Sequence, residues 1–127
     1  MRPMTARSLR SIFAVAALGA SLAGAVSCNA DRKEECEKFL AAMKALDQGA
    51  PSADAVERVD NTIGAIQFHD QTIGVFAKNY RTTLTVLAST LKLQASPTAP
   101  DGTDAVVKMK VKEARTQRDD AERYCAQ

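Results

Sequence analysis

The sequence predicts an all-α fold, a small antiparallel four-helix bundle, and three observations predict it. Past residue 30 the apolar residues recur at intervals of three and four, which a strand does not produce. Segments around Gly49-Ala50-Pro51 and from Ser96 to Gly102 interrupt that pattern with turn-forming residues. The stretch from Cys28 to Gln127 is 100 residues long, which suits one small domain with one core. Tryptophan is absent and aromatics make up 5% of the chain, so Ala, Leu, Val and Ile must supply most of that core.

The first helix is expected from about Asp31 to Asp47, with Cys36, Phe39, Leu40, Met43 and Leu46 on one face. Asp31, Glu34, Glu35 and Glu37 lie near its start, where the helix dipole favours acids. Gly49 and Pro51 end it. Ser52 is placed to cap the next helix, with Asp54 in the first turn and Val56, Val59, Ile63 and Ile66 forming a short stripe. A longer stripe follows in Ile73, Phe76, Tyr80, Leu84, Leu87 and Leu91. Tyr80 lies on that stripe and reads as core, its hydroxyl at the edge. The last helix, from about Thr103 to Cys125, carries Val107, Val111, Ala114, Ala121 and Cys125, and Arg118 interrupts it.

Thr62 to Phe76 admits two readings. Asp60-Asn61-Thr62-Ile63-Gly64-Ala65-Ile66 is echoed by Asp70-Gln71-Thr72-Ile73-Gly74-Val75-Phe76 ten residues on. Ten is not a whole number of helical turns, so on one continuous helix the copies would face differently. A helix–break–helix is expected, with Asp70 capping the second piece. The β-branched residues and glycines also admit a hairpin turning at His69-Asp70.

Residues 1–27 read as an export signal. Arg2, Arg7 and Arg10 are followed by 17 uncharged residues from Ser11 to Ser27. That run is at the lower limit for crossing a bilayer and is diluted by Gly and Ser, so a removable signal is expected. Without its three arginines the 17 basic residues fall to 14 against 15 acidic ones. The basic pI of about 8.5 thus belongs to the signal and gives no ground for nucleic-acid binding.

The signal ends in Ala25-Val26-Ser27-Cys28, which resembles the lipobox of bacterial lipoproteins. The resemblance covers these four residues and the signal before them. It implies that Cys28 becomes the first residue of the mature chain and carries diacylglycerol and palmitate-type acyl chains. Several such chains anchor a protein firmly, where one holds only marginally. Asn29 stands where an inner-membrane retention signal often has Asp, so the resemblance implies the outer membrane. Ala25 stands where the lipobox usually has Leu. Ordinary cleavage at a small-x-small site, Ala23-Gly24-Ala25 or Ala25-Val26-Ser27, stays open and would release a soluble protein. With lipid on Cys28, Arg32 and Lys33 would follow the anchor closely enough to meet anionic head groups.

Three cysteines in an exported chain leave one over. Acylation of Cys28 implies a Cys36–Cys125 disulfide, so that one bond closes the bundle. Two unpaired buried thiols, or a Cys28–Cys36 bond, are the alternatives. In a three-helix bundle Cys36 and Cys125 would lie at opposite ends, about 30 Å apart, too far for a disulfide. Four antiparallel helices bring them together, which favours a break between Ile63 and Asp70.

No catalytic, cofactor or metal residue stands out. His69 is the chain's one histidine, and no H-E-x-x-H, C-x-x-C, P-loop, dinucleotide or G-x-S-x-G pattern accompanies it. It reads as a solvated loop residue. Lys108, Lys110, Lys112, Arg115 and Arg118 admit an interaction patch, with Lys108, Lys112 and Arg115 on one helical face, but read as solvated surface, with Arg115–Asp119, Arg118–Glu122 and Asp119–Arg123 at ion-pair spacing. The expected function is binding or scaffolding without catalysis, in a protein held to the membrane by lipid on Cys28. The partner would be another envelope protein or a second copy. The alternative is a soluble periplasmic or secreted ligand-binding or inhibitor module.

Overall fold

The computed structural model describes residues 30–47 and 49–127. The expected signal segment 1–27 and Cys28 lie outside them. Arg32–Gln127 forms one compact unit. It is a four-helix bundle, and no strand occurs among the described residues.

Helix α1 covers residues 30–44. It tightens into i to i+3 bonds at Ala45, Leu46 and Asp47 and then stops. Gly49 follows with φ at 75°, a left-handed conformation that favours glycine. Helix α2 is Ala53–Gly64, and the Ser52 side chain accepts a bond from Ala55 N at 3.2 Å. Helix α3 is Gln71–Gln94, capped by Asp70 Oδ1 accepting from Ile73 N at 3.0 Å. Gly102, with φ at 88°, turns the chain into α4, Thr103–Cys125.

The helix–break–helix expectation therefore holds over Thr62 to Phe76, and the hairpin does not form. The break also explains the echo. Ile63 and Ile73 are 1% and 0% exposed, because the connection at 65–70 re-aims the second copy toward the same core. Arg81 anchors this connection from α3. Its Nε donates to Asp60 Oδ1 at 2.7 Å, and its guanidinium lies so close to Gly64 that a Cβ there would come within 2.8 Å of it.

Three helix pairs are seen to run antiparallel. Cys36 meets Cys125 while Asp47 meets Arg118, which sets α1 against α4. Asp60 pairs with Arg81 and Glu57 with Lys92, which sets α2 against α3. The Phe76 ring lies 5.7 Å from that of Tyr124, Thr83 donates to Glu113, and Gln94 donates to Asp104, which sets α3 against α4. The core is Phe39 and Met43 of α1, Val56, Val59 and Ile63 of α2, Ile73, Tyr80, Leu84 and Leu87 of α3, and Ala114 and Ala121 of α4. The small residues on α4 let it sit close against the larger side chains of α1 and α3. The Cys36–Cys125 disulfide closes the bundle with its Cα atoms 5.8 Å apart.

Candidate functional site

The two ends of the bundle differ in chemistry. At the disulfide end α1, the α2–α3 connection and the end of α4 meet in a polar cluster. Glu35, next to Cys36, is buried. Its Oε1 accepts from His69 N at 2.6 Å, and its Oε2 accepts from Asp70 N at 3.0 Å. His69 Nδ1 lies 3.0 Å from the same Oε1, while the His69 ring stays 72% exposed. The solvated-loop reading of His69 describes the ring and misses its tether. Burial pushes the Glu35 carboxyl up, but the His69 and Asp70 backbone donors and the His69 ring together outweigh it and leave it below its ordinary value of 4.5.

Tyr124 completes the cluster. Its hydroxyl donates to Asp70 at 3.1–3.2 Å, its carbonyl accepts from Arg32 Nη2 at 2.8 Å, and its ring lies 4.4 Å beneath the Arg32 guanidinium. A cation at the last carbonyls of α4 also suits the helix dipole. The carboxylates here hold backbone amides and a phenol, so the cluster locks three segments together. Glu35 is the residue the sequence reading missed. It stands four before Phe39 and eight before Met43, on the buried stripe of α1. That spacing was the available signal.

Glu35→Gln should show this lock. The amide nitrogen cannot accept a backbone N–H, so a loss of about 1–3 kcal/mol is expected at neutral pH. Because the native carboxyl sits below 4.5, its stabilisation is present above that value and is lost as pH falls through the lower native pKa. Denaturant titrations should therefore show a smaller acid destabilisation in Glu35→Gln than in the parent. Equal acid sensitivity would sink this account of Glu35.

The other end holds a groove of about 670 Å³. It exists because α1 is short. Residues 30–44 face α4 only as far as Asp47 and Arg118, while α3 and α4 continue for several turns beyond. The non-helical segment around Gly49, Ala50 and Pro51 runs where more of α1 would have packed. Leu91 from α3 and Val107 and Val111 from α4 remain half-buried as the groove's apolar lining. A separate small cavity of about 30 Å³, lined by Leu46, Tyr80 and Leu87, shares Pro51, Val111 and Arg115 with the groove.

Lys108, Lys112 and Arg115 line the α4 side of this groove, and Asp104, which accepts from Gln94, lines it as well. Lys108, Lys112 and Arg115 share one helical face, as their spacing predicts, and the other two cations of the basic set are paired elsewhere. Lys110 pairs with Glu113 at 2.7 Å. Arg118 reaches Asp47 across the helix pair and Glu122 at 3.4 Å, which is why a cation interrupts the stripe. Arg123 pairs with Asp120, and the anticipated Arg115–Asp119 and Asp119–Arg123 pairs do not form. Among the described residues Lys108, Lys112 and Arg115 meet no acid at ion-pair distance.

No protein-family model matches this chain. No curated protein and no solved structure matches it either. The two ends of the bundle therefore have to be read on their own chemistry. Among the described residues no helix is long and apolar enough to cross a membrane, and no three His, Cys, Asp or Glu side chains gather as a metal site. An open apolar groove of this size, with charged groups along one side, suits binding.

Proposed function

We propose that this chain is a lipid-anchored bacterial envelope protein, attached through acyl chains on Cys28, whose helical domain acts by binding through the groove and not by catalysis. The disulfide carries this reading. A structural Cys36–Cys125 bond suits an exported protein, and it uses two of the chain's three cysteines. Cys28 is the one remaining, and it ends the lipobox-like Ala25-Val26-Ser27-Cys28 run. Asn29 favours the outer membrane in this reading.

An anchor there would also orient the domain. Four peptide units separate Cys28 from Arg32, a reach of at most about 14 Å. The polar, disulfide-closed end would stand near the head groups, with Arg32 and Lys33 closest. The groove begins at the far end of α4, roughly 30 Å along the helix from Cys125. A groove held away from the bilayer suits a partner met in the aqueous phase.

Cys28→Ser should block processing or move the protein from the membrane to the soluble fraction. Intact mass of the parent should show diacylglycerol on Cys28 and the loss of two hydrogens for the disulfide. Normal processing of Cys28→Ser, with retention in the detergent-soluble membrane fraction, would overturn the anchor. A parent mass that matches cleavage before Cys28 without lipid would favour the soluble periplasmic or secreted module.

A further inference from the structure

We infer that the groove accepts an amphipathic helix of a partner protein, one that carries a row of acidic residues beside its apolar face. The inference rests on the groove being the binding surface and not on the anchor.

The shape points to a helix. The groove lies along α3 and α4 past the end of α1, an open trough walled by two antiparallel helices and the Gly49–Pro51 segment. Helices in such bundles approach to 8–10 Å between axes, with apolar side chains interdigitating. Leu91, Val107 and Val111 would meet residues of a docked helix at i, i+3, i+4 and i+7 spacing, the usual pattern for a helix in a groove. Pro51 lines the groove on the side nearest α1.

The charges point to acid. Lys108, Lys112 and Arg115 stand at i, i+4 and i+7 on α4, a row about 10 Å long. A small anionic head group would be gripped by cations converging on one point. A row parallel to an apolar trough instead matches acids repeated down one side of a helix. These cations have no acidic partner among the described residues, while Lys110, Arg118 and Arg123 of the same helix each have one. A like-charged, basic helix would be repelled along the same row.

A displayed library of helix-biased peptides, about 15 residues long, selected against the exported protein, tests this directly. The selected sequences should combine helically spaced apolar residues with Glu or Asp along one flank. Purified peptides should lose affinity by about tenfold or more for the Lys108→Glu, Lys112→Glu, Arg115→Glu triple variant, and Lys-flanked versions should gain on it. Val107→Ser should weaken both kinds of peptide, since it alters the apolar lining and not the charge. All three cations are exposed, so the triple variant should keep its helical circular dichroism. Apolar helices selected without acidic bias would overturn the partner chemistry and leave binding through the groove standing. Binding of dodecanoate or of phosphatidylglycerol vesicles, with no peptide selected, would make the occupant a lipid and overturn the helix. No binding by peptide, dodecanoate or vesicle would remove both the helix and the groove's role. None of these results bears on Cys28, whose lipid is read separately by mass.

Discussion

Cys36→Ala and Cys125→Ala should each lower the unfolding free energy by a similar amount, up to about 4–5 kcal/mol, and the double variant should be no worse than either single. The two residues are 89 apart in sequence, so the bond closes nearly the whole domain into one loop. Cross-linking a chain over such a distance removes denatured-state entropy worth about 4–5 kcal/mol in the chain-entropy model. A small domain has only about 5–15 kcal/mol in total. Either substitution opens the same loop, so the losses cannot add. Denaturant midpoints for the two singles and the double, under non-reducing conditions, give the comparison. Additive losses would mean that Cys36 and Cys125 contribute as separate packing residues and that the bond contributes little.

The bond also shows how far the helices were legible in the sequence. The stripes on α1, α3 and α4 gave the right helix faces, because apolar spacing depends only on the helical period. The break before Asp70 was less visible locally, since Thr62 to Phe76 holds both β-branched residues and glycines. It became legible through a long-range constraint: Cys36 and Cys125 can meet only if the chain reverses direction an odd number of times between them. Ser52 and Asp70 then appear as caps where their own side chains reach the following turn.

What stayed hidden was whatever depends on partners far along the chain. Glu35 looked like an acid at a helix start, but its partners are backbone amides 34 and 35 residues away. Backbone donors leave no trace in residue type. The cations of α4 misled for a related reason. An i,i+4 spacing permits an ion pair and Arg118–Glu122 forms at 3.4 Å, yet Arg118 also reaches across to Asp47, and Arg123 pairs with Asp120 in place of Asp119. The groove was invisible because it is a difference in length between α1 and its neighbours. Gly49 and Pro51 mark the end of α1, but only the assembled bundle shows what that end leaves uncovered.

Phe39→Ala should cost about 3–5 kcal/mol, the range for emptying a buried aromatic site. Phe39 is 1% exposed and joins three segments. Its ring meets Phe68 of the α2–α3 connection edge-on at 5.8 Å and Tyr80 of α3 edge-on at 6.1 Å. Each such pair adds about 0.5–1.5 kcal/mol beyond the area buried. Phe39→Leu should cost less, since it keeps most of the apolar volume and loses the ring contacts. Tyr80 supplies an independent readout. Burial pushes its hydroxyl up from 10.0 to about 12, so the native state keeps the proton that the unfolded state gives up. Stability should therefore fall as pH rises through the window from 10.0 to about 12, and Tyr80→Phe should remove that part of the alkaline loss. In Phe39→Ala the cavity beside Tyr80 should let water approach the ring and draw its titration back toward 10.0, seen in phenolate absorbance against the Tyr80→Phe background. A large stability loss with the Tyr80 titration unmoved would mean that the core collapses around the missing ring and that Phe39 does not shield Tyr80.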